Sequence, residues 1–402
     1  MPRSNTTTTY GSVTRAFHWL TALLILTIIP LAVIANELPY DTSEQLTRKA
    51  WLFSLHKTLG VTVFFVAILR ILWTVTQPKP ASLHPERRAE TFLAETAHWL
   101  LYGSLILAPL SGWIHHASTA GFAPIWWPLG QNLPLIPKSE ALSALTAGLH
   151  WVFGKVMAAT ILLHIAGALK HHFIDKDATL TRMMGSAATS TAAPTPASHA
   201  KMPLLAALAV WAVVLLSGTA FGLYSSHSST TQAAALEEVT SDWAVESGTI
   251  TIGVTQFGSV VEGSFADWTA DISYDADVMS GKVGDVEVVV SIGSLSLGSV
   301  TDQAMGPDFF NAENFETATY TADLIAGVDG FVAQGTLTIK DTSMPLDMPF
   351  RLSVEGDTAD MQAQLTLDRR DFGIGDNMPD EGSLAFAVDV NITLTATRAP
   401  SE

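Results

Sequence analysis

The sequence predicts a two-part protein, an all-α four-helix membrane bundle with a fifth transmembrane helix followed by an all-β eight-stranded antiparallel barrel. Apolar runs of membrane-spanning length fill the first half of the chain, and from about residue 241 alternation of apolar and polar residues replaces them. The charge also changes sign. Residues 1–201 carry 15 Lys and Arg against 9 Asp and Glu, whereas residues 202–402 carry 6 against 29. The two halves therefore face different surroundings, and the acidic half excludes a nucleic-acid partner.

Five apolar runs predict transmembrane helices, at 17–36, 52–74, 97–117, 147–170 and 203–224. The first run, with Arg3 and Arg15 ahead of it, also has features of a signal peptide, but its length and the later runs favour a helix. Lys and Arg concentrate in the segments on the amino-terminal side of the membrane, so the positive-inside rule predicts a cytoplasmic amino terminus. We expect a multi-pass protein of the bacterial inner membrane whose barrel is periplasmic.

Four histidines within these runs form a pattern in depth. His150 and His164 lie 14 residues apart on the fourth helix, which is nearly four turns and about 21 Å along the axis, so they share one face. His18 begins the first helix on the cytoplasmic side, and His56 begins the second helix on the outer side. The pattern predicts an inner pair, His18 with His164, and an outer pair, His56 with His150.

Two such pairs suit the iron atoms of two haems stacked across a bilayer. A haem with both axial positions filled favours one-electron transfer. The absence of cysteine excludes covalent haem attachment, iron–sulfur clusters and disulfides. The alternative is that the histidines are polar contacts between helices.

Two further residues in the apolar runs are candidates for the haem sites. Arg70, 14 residues after His56, is expected either to pair with a haem propionate or to extend to the membrane interface. His98 is expected to line a quinone site, to touch a haem edge or to form a hydrogen bond with another helix.

The first part of the chain resembles the bacterial cytochrome b561 family of dihaem membrane cytochromes. The resemblance covers residues 10–184 and rests on FHWL around His18, SLHKTLG around His56, the segment from His150 to His164, and HHFIDKDATLTRMM at 171–184. It implies that these four histidines are the axial ligands of two b-type haems. It also implies one-electron exchange with quinone; some members are superoxide oxidases that reduce ubiquinone.

The second half carries segments typical of strands with one buried face. The clearest is SLAFAVDVNITLTAT, where Leu384, Phe386, Val388, Val390, Ile392 and Leu394 occupy every second position. Eight strands are predicted in total, and the other seven lie near 248–256, 258–274, 283–297, 317–328, 331–340, 348–355 and 361–369. Eight strands with short turns favour an up-and-down barrel able to hold one small ligand, and an open sandwich is the alternative.

This half resembles the YceI-like family of lipocalin-like barrels, which bind isoprenoid chains. The resemblance rests on Val261 to Phe265 with Trp268, DFFNAENF at 308–315, GTLTIKDTSMPL at 335–346 and RRDFGIG at 369–375. Where the family commonly has a Ser-His pair, this chain reads Glu246 to Thr249, which puts a polar contact there in doubt. A barrel filled by its own side chains is the alternative to a ligand site. No catalytic residue is predicted in it.

The predicted domains are a cytochrome at 10–184, a linker at 185–202, a fifth transmembrane helix at 203–224 and a barrel at 241–400. The expected function is single-electron transfer between quinone in the bilayer and an unknown periplasmic redox partner, with an isoprenoid or quinone tail in the barrel. Ubiquinone is the preferred quinone, and a quinone-linked oxidoreductase is one possible activity. The alternative is a redox-responsive isoprenoid-binding protein, anchored by the haem bundle and without turnover.

Overall fold

The computed structural model describes residues 2–84, 86–128, 130–185, 201–225, 234–237, 239, 241–328 and 330–399. The chain forms two compact units. We call the first, Met1–Leu38 with Trp51–Ser118 and Ile125–Ser226, the helical unit. The second, Pro39–Ala50 with Thr119–Pro124 and His227–Glu402, is called the sheet unit. Most of the predicted linker, residues 186–200, lies outside the described residues.

Five long helices occupy the five predicted runs. They are α1 (Ser12–Glu37), α2 (Ser43–Val75), α3 (Arg88–Ser118), α4 (Glu140–Lys170) and α6 (Lys201–Ala220). A π-helical turn, His171–Asp175, extends α4, and a short helix α5 (Thr179–Met184) follows. Ser139 caps α4, because its side chain accepts a hydrogen bond from the Leu142 backbone N–H.

Four of these helices are long and apolar enough to cross a membrane, namely α1, α2, α6 and α4 with its extension to Asp175. The described part of α3 is not among them, although the sequence predicted a span at 97–117. Polar residues interrupt the apolar run of α3, including His98, Ser104, Ser111 and the adjacent His115 and His116. The number of membrane-crossing helices is therefore about four, and a fifth span stays a prediction.

Apolar side chains from several helices form one core in the helical unit. It contains Ile25 and Ile28 of α1, Val63 and Ala67 of α2, Leu100, Leu105 and Ala108 of α3, Phe153 and Met157 of α4, and Ala207 and Trp211 of α6. Small residues let the helices approach closely, and Ala67 and Ser104 have no exposed surface. The Ser104 hydroxyl donates to the Leu100 carbonyl one turn earlier, so this buried group is satisfied within its own helix.

The sheet unit contains one curled antiparallel sheet of ten strands rather than the predicted eight. The strands are β1 (Trp243–Gln256), β2 (Ser259–Phe265), β3 (Trp268–Tyr274), β4 (Gly281–Ser291), β5 (Leu295–Ser296), β6 (Thr317–Gly327), β7 (Gly330–Ile339), β8 (Thr342–Glu355), β9 (Thr358–Asp368) and β10 (Leu384–Arg398). Their order is β3-β4-β6-β7-β8-β9-β10-β1-β2-β5. Short helical segments accompany it, including α7 (Thr301–Met305).

The two extra strands arise because two predicted strands are interrupted. The segment predicted at 258–274 breaks at Ala266 and Asp267, where the chain leaves its pairing with β1 and begins to pair with β4. The segment predicted at 283–297 breaks at a 3₁₀ turn, Ile292–Ser294, and its remainder pairs with β2. Both breaks shift the phase of the apolar alternation, because Phe265 and Trp268, three residues apart, both line the cavity, and so do Ile292 and Leu297, five residues apart. The prediction of two continuous strands missed these shifts.

The predicted alternation in β10 is reproduced with one exception. Leu384, Val388, Val390, Ile392 and Leu394 line the interior cavity of the sheet. Phe386 does not line that cavity, and its ring centre lies 3.9 Å from Cζ of Arg370. The β1–β10 register shifts between Val254 and Gln256, next to Phe386, which explains the local loss of the pattern.

Arg369 holds the connection between β9 and β10. It is 4% exposed, and its five N–H groups donate to five backbone carbonyls, those of Ile374, Gly375, Met378, Leu384 and Ala385. An arginine has five N–H donors, so this side chain is saturated. The saturation explains how this buried cation is tolerated.

Substitution of Arg369 by Gln is expected to destabilise this connection by about 3 kcal/mol, since several buried carbonyls lose charged donors. Amides of β10 should then exchange with deuterium about 100-fold faster in the variant. Peptide-resolved hydrogen exchange measures this, and the control is Arg351→Gln, at an exposed position on β8. Equal exchange in both variants would mean that Arg369 does not hold the connection.

Candidate functional sites

His18 and His164 lie next to each other in the helical unit. His18 is on the first turns of α1 and His164 on α4, and their ring centres are 6.3 Å apart with the planes inclined at 49°. The Nδ1 atom of His18 is buried, and it has no hydrogen-bond partner among the residues that the structure describes. A buried nitrogen of this kind calls for a further partner.

His56 and His150 form a second neighbouring pair, with ring centres 6.2 Å apart and planes at 84°. Each ring is fixed by a backbone carbonyl on another helix. Nδ1 of His56 lies 3.1 Å from the Ile28 carbonyl, and Nδ1 of His150 lies 2.7 Å from the Ala108 carbonyl. A carbonyl only accepts, so Nδ1 carries the proton and donates in both cases. This tautomer leaves Nε2 as a lone-pair donor, which is what a metal ligand needs.

Gly112 makes the hydrogen bond of His150 possible. A Cβ atom at this position would lie 2.8 Å from Nδ1 of His150 and 2.9 Å from its Cε1. Any larger residue would therefore push the ring away from the Ala108 carbonyl, which lies one turn earlier on the same helix. A small cavity between His56 and His150 is also lined by Gly60 and Gly112.

The spacing within both pairs fits two imidazoles that coordinate one metal from opposite sides. With a metal–nitrogen distance of about 2.0 Å and a ring centre about 1.2 Å behind the nitrogen, the ring centres should be about 6.4 Å apart. The observed 6.3 and 6.2 Å agree with this value. The donor set, two neutral imidazoles and no thiolate, is that of a bis-histidine haem. The four residues therefore fit the group that the sequence analysis expected.

His98 and Arg70 lie at the His18–His164 pair. The His98 ring, on α3, packs edge-on against His164 with 5.2 Å between ring centres. The charge of Arg70 acts on the rings of His18, His98 and His164. The Arg70 guanidinium also lies over the ring of Tyr102, 5.6 Å from its centre. The roles predicted for Arg70 and His98, toward a propionate or a quinone, stay predictions.

Two residues near the His56–His150 pair were not predicted to belong there. His116 and Lys57 both line the small cavity between these histidines, and Lys57 is only 7% exposed. Lys57 was not among the site residues predicted from the sequence. Its position directly after His56 was the signal that could have identified it.

A polar network joins the end of α4 to the start of α3. Lys170 contacts Glu90 at 2.7 Å and Asp175 at 3.0 Å, and Arg87 contacts Asp175 at 3.0 Å. Asp177 extends the network, because its carboxylate contacts Nδ1 of His171 at 2.7 Å and Nε2 of His84 at 3.1 Å. The carboxylates are thus matched by cations or imidazoles, so we interpret the network as an anchor for the segment 171–177. His84 was not among the site residues predicted from the sequence.

The sheet unit encloses a cavity of about 290 Å³. Its walls are apolar side chains, such as Ile252, Val288 and Leu365, and it is therefore not filled by the side chains of the sheet. Apart from tyrosines and tryptophans, the polar residues among those described at its wall are Gln256, Gln303 and Arg369.

Three of the polar side chains at the cavity wall, those of Arg369, Gln256 and Tyr320, have protein partners. Arg369 is saturated as described, and Oε1 of Gln256 accepts from the Phe122 backbone N–H at 3.3 Å. The Tyr320 hydroxyl donates to the Ala333 or the Leu346 carbonyl, at 2.8 and 3.0 Å. Burial, with the nearby charge of Asp347, raises the pKa of Tyr320 to about 12, so it stays neutral.

The segment Glu246–Thr249 contributes no polar group to the cavity. Thr249 is exposed, and its hydroxyl lies 2.8 Å from that of Thr393 on the neighbouring strand. Glu246 accepts from the Thr397 hydroxyl at 3.2 Å. The doubt raised by the sequence about this position is therefore supported.

Comparison with known proteins matches each half of the chain to a family model. The model described as prokaryotic cytochrome b561 matches residues 9–186, and the YceI-like domain matches residues 231–396. Cytochrome b561 homolog 2 of Escherichia coli (strain K12) is 31% identical over 197 residues, which cover 47% of this chain and 98% of the relative.

Two further similar proteins are a curated sequence and a solved structure. "Probable superoxide oxidase CybB" of Yersinia pestis is 25% identical over 176 residues, covering 44% of this chain and 95% of the relative. The crystal structure of Burkholderia cenocepacia BcnA is 25% identical, with a TM-score of 0.35, and the match covers 37% of this chain and 96% of that one.

Substitution of Gly112 by Ala is expected to displace the His150 ring and to lower the amount of b-type haem per chain to about one half. The reason is the 2.8 Å approach of the added Cβ to Nδ1 of His150. Haem content is measured by the pyridine haemochrome spectrum of purified protein. Gly154→Ala on α4 is the control, because a Cβ there meets nothing within 4 Å. Full haem content in Gly112→Ala would contradict this placement of His150.

Proposed function

We propose that this chain, which belongs to the prokaryotic cytochrome b561 family and carries a YceI-like domain, exchanges single electrons between quinone and a periplasmic partner through two haem sites. Family membership makes it a multi-pass membrane protein and a b-type cytochrome of electron transfer. The observation that carries the proposal is the spacing of the two histidine pairs. At 6.3 and 6.2 Å, each suits one six-coordinate iron.

In this proposal His18 with His164 holds one haem, and His56 with His150 holds the other. When bound, b-type haem supplies reversible one-electron exchange, with no open iron position for oxygen or substrate. The chain's own part is to fix the imidazoles. Backbone carbonyls hold the rings of His56 and His150 through Nδ1, so that Nε2 is the nitrogen left to bind a metal. Arg70 and Lys57 supply positive charge near the two pairs, which suits haem propionates.

We also propose the orientation and extent of the parts. The bias of Lys and Arg places the amino terminus in the cytoplasm and the sheet unit in the periplasm of a bacterial inner membrane. The cytochrome covers 10–184, the fifth transmembrane helix 203–224 and the barrel 241–400. In the proposal α3 is the remaining span, because its core residues pack with those of α1, α2 and α4.

The quinone is proposed to be ubiquinone, with His98 beside the electron-exchange site. His98 contacts His164, and part of its surface remains exposed. The cavity of the sheet unit is proposed to hold an isoprenoid tail. Its volume lies near the lower limit of the ~300–1,000 Å³ found for small-molecule sites, so it suits part of a long chain.

Superoxide is the candidate electron donor, because the name of one relative describes a probable superoxide oxidase. The reaction balances when two superoxide ions release two O₂ and two electrons, and one ubiquinone takes up these electrons with two protons to give ubiquinol. The acidic second half of the chain opposes this donor, since a net charge of −23 repels an anion.

A second candidate function is a redox-responsive isoprenoid-binding protein without turnover. The almost entirely apolar cavity wall is the observation that favours it. In this case the haems would be oxidised or reduced with the redox state of their surroundings, but no sustained electron flow to a quinone would follow.

The two histidine pairs should be separable by spectroscopy. His18→Ala and His150→Ala are each expected to lose one low-spin b-type haem, with a different part of the reduced-minus-oxidised spectrum affected in each. Haem per chain and the absorption difference spectrum measure this, with His172→Ala as the control in the π-helical turn. A single haem lost equally in both variants would rule out two separate sites.

Steady-state turnover should separate the two candidate functions. We expect purified protein in lipid nanodiscs to reduce short-chain ubiquinone-1 continuously while xanthine oxidase supplies superoxide. His98→Phe is expected to lower the quinone-dependent rate about tenfold while both haems are retained. No sustained quinone reduction in protein with two haems would instead support the binding protein. Superoxide dismutase identifies the donor, since it must abolish a genuine superoxide-dependent rate.

A further inference from the structure

Two short segments that precede the YceI-like domain belong to the sheet unit. They are Pro39–Ala50, which includes the first turns of α2, and Thr119–Pro124, which follows α3. Neither falls within residues 231–396, the part of the chain that matches the YceI-like domain. We call them together the lid.

Leu46 brings the first lid segment into the cavity wall. It is 2% exposed, lines the cavity and packs with Met378 and Leu384. Among the described residues that line the cavity, all the others come from Trp243 onward. Leu46 is therefore a wall residue that the strand-forming sequence does not supply.

Polar contacts fasten the same segment to the β9–β10 connection. Oγ1 of Thr47 lies 3.0 Å from Oγ of Ser383, and Nδ2 of Asn377 donates to the Asp41 carbonyl at 2.8 Å. Ser383 is 1% exposed, but its partner Thr47 and the residue Asp41 are exposed, so water can replace the contacts of the lid side. Such bonds hold a segment in place but can open at low cost.

The second lid segment adopts a strained backbone that its contacts maintain. Gly121, Phe122 and Ala123 have φ values of 89°, 43° and 59°, a conformation that residues other than glycine rarely adopt. The Phe122 N–H donates to Oε1 of Gln256, and the Ser299 hydroxyl donates to the Ala120 carbonyl at 3.0 Å. The strain is thus supported only while the segment lies against the sheet.

We propose that the lid completes the ligand cavity, and that Leu46 contacts the bound ligand and must move aside to admit it. This rests on the proposed function insofar as the ligand is an isoprenoid chain. The access route of the ligand is then set by residues outside the barrel sequence. Leu46 becomes a ligand-contacting residue, and the Thr47–Ser383 contact becomes the fastening.

Because the chain has no cysteine, an engineered disulfide can fix the lid to the sheet without competing thiols. In the double variant Thr47→Cys with Ser383→Cys, the 3.0 Å separation of the native oxygens suits a disulfide. The probe is farnesol esterified with anthranilate, followed by energy transfer from Trp243 and Trp268 at the cavity wall. Oxidation should slow probe dissociation at least tenfold, and reduction should restore the rate.

A matched disulfide elsewhere in the sheet is the control. Thr338→Cys with Ser343→Cys joins β7 to β8, where the native hydroxyls are 2.8 Å apart. It should leave probe dissociation unchanged. An equal effect of both disulfides, no effect of the lid disulfide, or failure of the lid disulfide to form would overturn the proposal.

A measurement without ligand separates failure of the lid from failure of the proposed ligand class. Met378, 1% exposed beneath the lid, is replaced by Cys and labelled with a maleimide. Adding Leu46→Asp should open the lid and speed labelling at least tenfold, whereas Arg48→Asp, at an exposed position of the same segment, should not. Equal labelling rates with and without Leu46→Asp would overturn the proposal that the lid covers the cavity. Faster labelling with Leu46→Asp, but no probe binding to the unaltered chain, would reject only the isoprenoid ligand.

Discussion

The hydrogen bonds from imidazole to backbone carbonyl organise the helical unit. In an apolar interior each polar atom needs a partner, and every histidine nitrogen must therefore be accounted for. The bond from His56 to the Ile28 carbonyl joins α2 to α1, and the bond from His150 to the Ala108 carbonyl joins α4 to α3. The rings of His56 and His150 are neighbours, so the α1–α2 pair is linked to the α3–α4 pair. The same two bonds set the tautomer that leaves Nε2 available to a metal.

The 14-residue spacing of His150 and His164, together with the helix ends at which His18 and His56 lie, predicted which rings would be neighbours, because helix geometry converts spacing into depth. The partners of the imidazoles were beyond the reach of the sequence. Ala108 is 42 residues from His150, and its carbonyl is accessible only because Gly112 lacks a side chain. The tertiary packing of α3 against α4 brings the His150 ring next to the Ala108 carbonyl.

In the sheet unit the alternation of apolar residues predicted the buried face but not the strand count. The break at Ala266 and Asp267 shifts the phase of the alternation, since Phe265 and Trp268 on either side of it both line the cavity, but one shift inside a short segment does not by itself end a predicted strand. Leu46 could not be predicted at the cavity wall at all. It is almost 200 residues before the first strand and lies in a helical segment, so only the folded chain brings it there.

The candidate sites of the two units differ in whether their polar atoms are left available to a ligand. In the helical unit the Nδ1 hydrogen bonds of His56 and His150 leave Nε2 of each ring unprotonated and available to a metal. In the sheet unit the buried cation at the cavity wall, Arg369, has all its donors used by backbone carbonyls. A free phosphate or carboxylate inside that cavity would find no donor on Arg369. The chemistry of the wall therefore favours an uncharged chain over an anionic headgroup, and it suits a neutral quinone tail better than a prenyl phosphate.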